Sequence, residues 1–263
     1  MNLRSLQGLS QSKSVSFSIL YKQSLTFCGL NVIIVKNRQR PVGKPQNGSK
    51  RKMKVIFLGD SITEGVGASR EETKYVNKVA EICGVEVKNF GVSGTRIARQ
   101  TEPSQKTLHD YDFQMRAEVM SKDADKVFVF GGTNDYGHGD AKIGEESDDT
   151  PYTFHGALNR LIKRLIELYG KDKICFILPL RRFEEEDLYG QGNRKEPTLN
   201  LKGYVDIIRA KCEKAGIDYI DLYKNGIPKP VTDKGDEYTA DGLHPNDKGH
   251  LFIAEKIKNY LGL

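Results

Sequence analysis

From Met53 onward the chain repeats one pattern five times, a short apolar run followed by a longer amphipathic stretch, and few folds accept that pattern. The apolar runs are residues 54–58, 86–89, 126–130, 173–178 and 218–221, and several carry no polar face at all. A strand in an antiparallel sheet with one wet side alternates polar and apolar residues. Strands buried on both faces do not, and they arise in parallel sheets covered by helices. The intervening segments, 72–83, 107–120, 154–169, 199–215 and 246–261, read as helices. In the third, Leu158, Leu161, Ile162, Leu165 and Ile166 fall on one face that should pack on the sheet. Strand and helix in strict alternation predict a three-layer α/β/α sandwich with a five-stranded parallel sheet and right-handed crossovers.

At 263 residues, with 38% apolar and 29% charged side chains, the chain has room for one large α/β domain. The net charge of +6 is unevenly placed. No Asp or Glu precedes Asp60, whereas 11 of the Lys and Arg residues lie between Arg4 and Lys54. From Val55 onward 35 acidic residues outnumber 30 basic ones, so the body offers no basic groove for a phosphate backbone and a nucleic-acid partner is not expected.

Residues 1–52 are rich in Ser, Gln and Lys and end in linker-like Pro, Gly and Asn chemistry, so the expected organisation is a basic extension over 1–52 and a catalytic domain over 53–263. The apolar stretch 25–35 is too short to span a bilayer, which takes about 20 residues, and no stable membrane anchor is expected. Met53 opens directly on the first apolar run and reads as a natural start, which gives a cytoplasmic expectation; a targeting segment in 1–52 is the alternative. Cys28, Cys83, Cys175 and Cys212 are far apart and lack metal-ligand spacing, so neither a disulfide framework nor a zinc site is expected.

In a parallel sheet, reactive groups gather where the carboxyl ends of strands meet loops. Three strand ends carry specific polar sequences: Gly59-Asp60-Ser61-Ile62-Thr63-Glu64-Gly65, Asn89-Phe90-Gly91-Val92-Ser93-Gly94 and Gly131-Gly132-Thr133-Asn134-Asp135. A strand-end serine is ordinarily a cap or turn residue and becomes a nucleophile only beside a base. Of five histidines, His244 stands out in Asp241-Gly242-Leu243-His244-Pro245, because a carboxylate three residues earlier in a turn can hold Nδ1–H and leave Nε2 free. Taken alone, that motif reads more readily as a shaped turn with a polar surface histidine. An acyl-transfer site also needs donors for a developing oxyanion, and the candidates are the N–H groups of Ser61 and Gly94 and the Asn134 amide.

Together these four blocks, Gly59-Asp60-Ser61-Ile62, Gly94, Gly132-Thr133-Asn134-Asp135 and Asp241-Gly242-Leu243-His244, resemble the SGNH hydrolases, also called GDSL-type esterases and lipases. Ile62 stands where that family usually has Leu. The resemblance runs from about Met53 to the C-terminus and implies a flavodoxin-like fold. It also implies Ser61 as nucleophile, His244 as base, Asp241 as its partner, and Ser61, Gly94 and Asn134 as oxyanion hole, without metal or organic cofactor.

The expected substrate is a small ester. The loops 137–153 and 181–198 are full of charge, Gly and Tyr, which favours a short acyl group on a polar alcohol such as an O-acetylated carbohydrate. A lysophospholipase or thioesterase with a longer acyl pocket is the alternative enzyme, and a binding module without turnover the alternative class. Asp60, Tyr136, His138, Arg181 and Arg182 are candidate substrate-lining residues. Asp60 and Asp135 could also act as a carboxylate pair, although tying loops through backbone N–H groups is the favoured expectation. For Arg181 and Arg182 the competing expectation is a salt-bridged loop beside Glu184 to Asp187.

Overall fold

The computed structural model describes residues 51–190, 194 and 196–263. The expectations for residues 1–50 therefore lie outside the described residues. Five strands, β1 (Lys54–Gly59), β2 (Glu86–Gly91), β3 (Lys126–Phe130), β4 (Ile174–Leu178) and β5 (Asp218–Asp221), form one sheet in the order β2-β1-β3-β4-β5. Every neighbouring pair is parallel.

The three central strands alternate between two helix layers. Ile56, Leu58, Val127, Val129 and Phe176 face one core with α3 (Phe113–Val119), α5 (Phe154–Tyr169) and α6 (Leu201–Ala215). Val55, Phe57, Phe128, Cys175 and Ile177 face the other with α2 (Tyr75–Cys83) and α8 (Asp247–Leu261). The uninterrupted apolar runs thus reflect burial on both faces. Phe57 stacks on Phe128 across the β1 and β3 register, with ring centroids 5.2 Å apart. The edge strands β2 and β5 are less buried, in keeping with their more polar sequences.

Side-chain caps set the helix starts. Asn200 accepts from Gly203 N–H, Asn246 from Lys248 and Gly249 N–H, and Thr153 from Gly156 N–H. The segment 107–120 is not one helix as expected: a 3₁₀ turn covers Thr107–Asp110, and α3 begins afresh behind Asp112, which accepts from Met115 N–H at 2.9 Å. Likewise the first residues of 72–83 belong to a 3₁₀ turn, Glu71–Thr73. The pattern gave no warning of three short helices, α1 (Ser61–Glu64), α4 (Thr133–His138) and α7 (Leu222–Asn225), which follow β1, β3 and β5 directly. Among the described residues no helix is long and apolar enough to cross a membrane.

Candidate active site

The turn from β1 into α1 brings the first polar block to the carboxyl edge of the sheet. Asp60 caps α1, accepting from Ile62 N–H at 3.0 Å, and Ser61 is the first residue of the helix, 6% exposed. At Gly67 the backbone has φ +92°, and a Cβ there would lie 2.2 Å from the Pro245 carbonyl oxygen. Glycine is what lets the loop after α1 lie against the loop before α8. Two further ties hold these loops together. Ser69 donates from N–H and Oγ to Asp247 at 2.8 and 2.6 Å, and the buried His250 joins Tyr75 N–H to the Val66 carbonyl. A bridge between Thr239 and Pro245 and the Ala240 N–H bond to the His244 carbonyl fix the turn that carries the histidine.

As a result, residues 183 positions apart meet: His244 Nε2 lies 3.0 Å from Ser61 Oγ. On the other side of the ring, His244 Nδ1 lies 2.7 Å from Asp241 Oδ2. Asp241 Oδ1 also accepts from the N–H groups of Leu243 and His244, at 3.0 and 2.7 Å, so the carboxylate shapes the turn and holds the ring at once. Burial pushes the Asp241 carboxyl up, but the hydrogen bonds from His244 outweigh it and hold the group below its ordinary value. An ionised Asp241 facing Nδ1 keeps the proton on that nitrogen and turns the Nε2 lone pair toward the serine hydroxyl.

Gly94 and Asn134 converge on the same edge. Gly94 has φ +73°, and a Cβ there would lie 2.3 Å from His109 Nε2, so this imidazole lies directly on the glycine. Asn134 is 5% exposed and donates from Nδ2 to the Thr95 carbonyl at 3.0 Å, which commits one of its two amide hydrogens. Its Oδ1 lies 3.1 Å from His138 Nε2.

Two carboxylates tie the blocks together beneath this surface. Asp135, 3% exposed, accepts from the N–H groups of Ile97 and Ala98 at 3.0 and 2.8 Å, joining the third block to the second. Burial raises its carboxyl to about 6 in spite of these bonds, and raises that of Asp60 to about 7 against the pull of Ile62 N–H and Arg116. Both side chains are enclosed and occupied by backbone donors, the arrangement of loop ties.

Several candidate lining residues take other positions. Tyr136 is 0% exposed, because its ring packs in the core against Tyr204 and its hydroxyl donates to the Glu184 carbonyl. Arg182, 4% exposed, lies over the Tyr136 ring with 5.4 Å to its centroid, while Arg181 pairs with the buried Glu185. Asp60, at 1%, is likewise enclosed rather than lining a cavity. The polar loops do share a surface: Asp140 to Ile143 from one and Pro197 to Leu199 from the other line, with Thr101, Glu102, Arg194 and Glu196, a cleft of about 740 Å³.

Sequence reasoning missed two buried arginines. Arg116, 2% exposed, reaches from α3 to donate to the Gly59 and Phe90 carbonyls and to Thr95 Oγ1, and so clamps the ends of β1 and β2 beneath Ser61. Arg96, 3% exposed, donates to His138 Nδ1 at 2.9 Å and to Ser104 Oγ at 2.7 Å. Nothing in their local sequence distinguishes them from surface arginines. Among the described residues no group of three or more His, Cys, Asp or Glu side chains is placed to hold a metal ion.

The model of the GDSL-like lipase/acylhydrolase family matches residues 57–251. An acetylxylan esterase from Xylanibacter ruminicola is 28% identical over 236 residues, 78% of this chain, and the chain spans only 42% of that protein's length. A crystal structure of a Lactobacillus plantarum protein superposes with a TM-score of 0.65 at 27% identity, covering 81% of this chain and 98% of its own. A carbohydrate acetylesterase from Sinorhizobium meliloti shares the fold at 17% identity, with a TM-score of 0.57 over 80% of this chain and 99% of its own.

Proposed function

The chain belongs to the GDSL-like lipase/acylhydrolase family, and from that premise we propose that it is a serine esterase that removes short acyl groups, acetyl above all, from a carbohydrate or similar polar alcohol. The observation that carries the reading is the unbroken chain of contacts from Asp241 through His244 to Ser61, 2.7 and 3.0 Å long.

In the proposed reaction, Ser61 Oγ attacks the ester carbonyl carbon as its proton passes to His244 Nε2. Asp241 keeps the ring in the correct tautomer and stabilises the imidazolium. Negative charge collects on the former carbonyl oxygen, where the N–H groups of Ser61 and Gly94 and the second Nδ2–H of Asn134 are the donors; each such donor is worth about 3 kcal/mol. Collapse breaks the bond to the alcohol, which leaves with the proton from His244. Water then gives its proton to His244 and attacks the acyl-enzyme, and Ser61 regains its hydrogen as the acid departs.

One observation supports a short acyl group on a polar alcohol: the curated relative is an acetylxylan esterase. Ser61→Ala should abolish turnover of p-nitrophenyl acetate while leaving the far-UV spectrum unchanged. In a series of p-nitrophenyl esters from two to twelve carbons, kcat/KM should be highest for acetate; a preference for long chains would instead indicate a lysophospholipase or thioesterase.

A further inference from the structure

Asn134 is useful as an oxyanion donor only if its amide is turned the right way, since a flipped amide would present an acceptor. The neighbouring contacts leave no freedom in that choice. The Arg96 guanidinium is always a donor, and it lies 2.9 Å from His138 Nδ1. His138 Nδ1 must therefore accept, and its single ring proton resides on Nε2. That Nε2–H points at Asn134 Oδ1, 3.1 Å away. With Oδ1 so occupied, Nδ2 faces the Thr95 carbonyl at 3.0 Å, and its other hydrogen is spent on no described residue.

We propose that His138, held by Arg96, is a positioning residue that, together with the Thr95 carbonyl, fixes the orientation of the Asn134 amide and polarises it toward the oxyanion. The inference rests on the role given to Asn134 under the proposed function. Arg96 is anchored in turn, donating to Ser104 Oγ and to the His109 carbonyl and pairing with Asp110. A buried cation thus stands at the far end of a chain of hydrogen bonds whose near end is the amide, and such chains strengthen each member. Burial, together with Arg96, lowers His138 to about 4, which keeps the ring neutral and its Nδ1 able to accept.

Three substitutions test the assignment by kcat and KM on p-nitrophenyl acetate. His138→Gln can accept at one amide atom and donate at the other, so it should retain kcat to within about threefold. His138→Asn can still accept from Arg96 but is too short to reach Asn134; it should lower kcat about tenfold with KM unchanged and thermal stability close to that of the parent. His138→Ala should also lower kcat about tenfold, and by less than twofold when Asn134 is already Ala, because partners acting as a unit are not additive. Equal kcat for the Gln and Asn variants, or the same fold-loss from His138→Ala in both backgrounds, would overturn the relay. If Asn134→Ala alone leaves kcat unchanged, the oxyanion assignment falls and takes the relay with it. A loss from Asn134→Ala that is simply multiplied by His138→Ala removes the relay alone.

Discussion

Replacing Asp241 by Asn separates the two duties of this side chain. Its Oδ1 accepts from the N–H groups of Leu243 and His244 and shapes the turn, whereas Oδ2 faces His244 Nδ1 at 2.7 Å. An asparagine keeps an oxygen at the first position, so the turn survives. At the second it places an NH₂, which donates to Nδ1 and forces the ring proton onto Nε2, where it blocks acceptance from Ser61. The loss has two parts. The attraction between carboxylate and imidazolium at about 4 Å is worth about 1 kcal/mol in water and about 4 at a protein surface. The Asp241 side chain is 48% exposed, which argues for about 2 to 3. Reversing the enforced tautomer adds about 2 to 3 more, for a total near 5 kcal/mol, or on the order of 10³ to 10⁴ in rate. Steady-state hydrolysis of p-nitrophenyl acetate measures kcat, and a melting curve on the same sample checks the turn. A variant that melts like the parent and keeps kcat within tenfold of it would refute the argument that Asp241 sets the tautomer.

Two further expectations concern the frame around the site. Arg116→Met should lower the urea midpoint by the equivalent of about 3 kcal/mol or more, since the Gly59 and Phe90 carbonyls and Thr95 Oγ1 lose a buried donor; an unchanged midpoint would contradict the clamp. Burial lowers His250 from 6.5 to about 4. Below pH 6.5 the unfolded chain therefore binds a proton that the folded chain refuses until about pH 4, and stability falls as pH falls through that window. The contribution is about 3 kcal/mol. His250→Asn removes it, so the stability gap between parent and variant should be widest above pH 6.5 and narrow by about that amount toward pH 4. A gap that does not change with pH would count against it.

Much of the fold was legible because two-sided burial imprints itself on contiguous residues. The runs at Val55 to Leu58 and Val127 to Phe130 have no polar face because helices cover both sides. The blocks around Ser61, Asn134 and His244 stood out for a similar reason: each gathers its candidate site residues into a few consecutive positions at a strand end or turn. What lay outside the sequence pattern was produced by tertiary approach. Arg96 and Arg116 lie far in sequence from the atoms they serve, and His109 meets Gly94 only through folding. Tyr136 was expected on the pocket wall because it directly follows the third polar block. Two residues beyond Asn134 within α4, its side chain turns away from Asn134 and into the core. Arg182 follows it inward to lie on the same ring.

The central claim is that Ser61 is a nucleophile activated by His244. The most direct measurement is reaction of the whole chain with a fluorophosphonate, followed by peptide mass mapping. The account predicts one adduct, on the peptide that contains Ser61, formed with loss of fluoride, absent from Ser61→Ala and greatly slowed in His244→Ala. An active preparation that hydrolyses p-nitrophenyl acetate yet carries no adduct at Ser61, or carries it on another serine, would contradict the account.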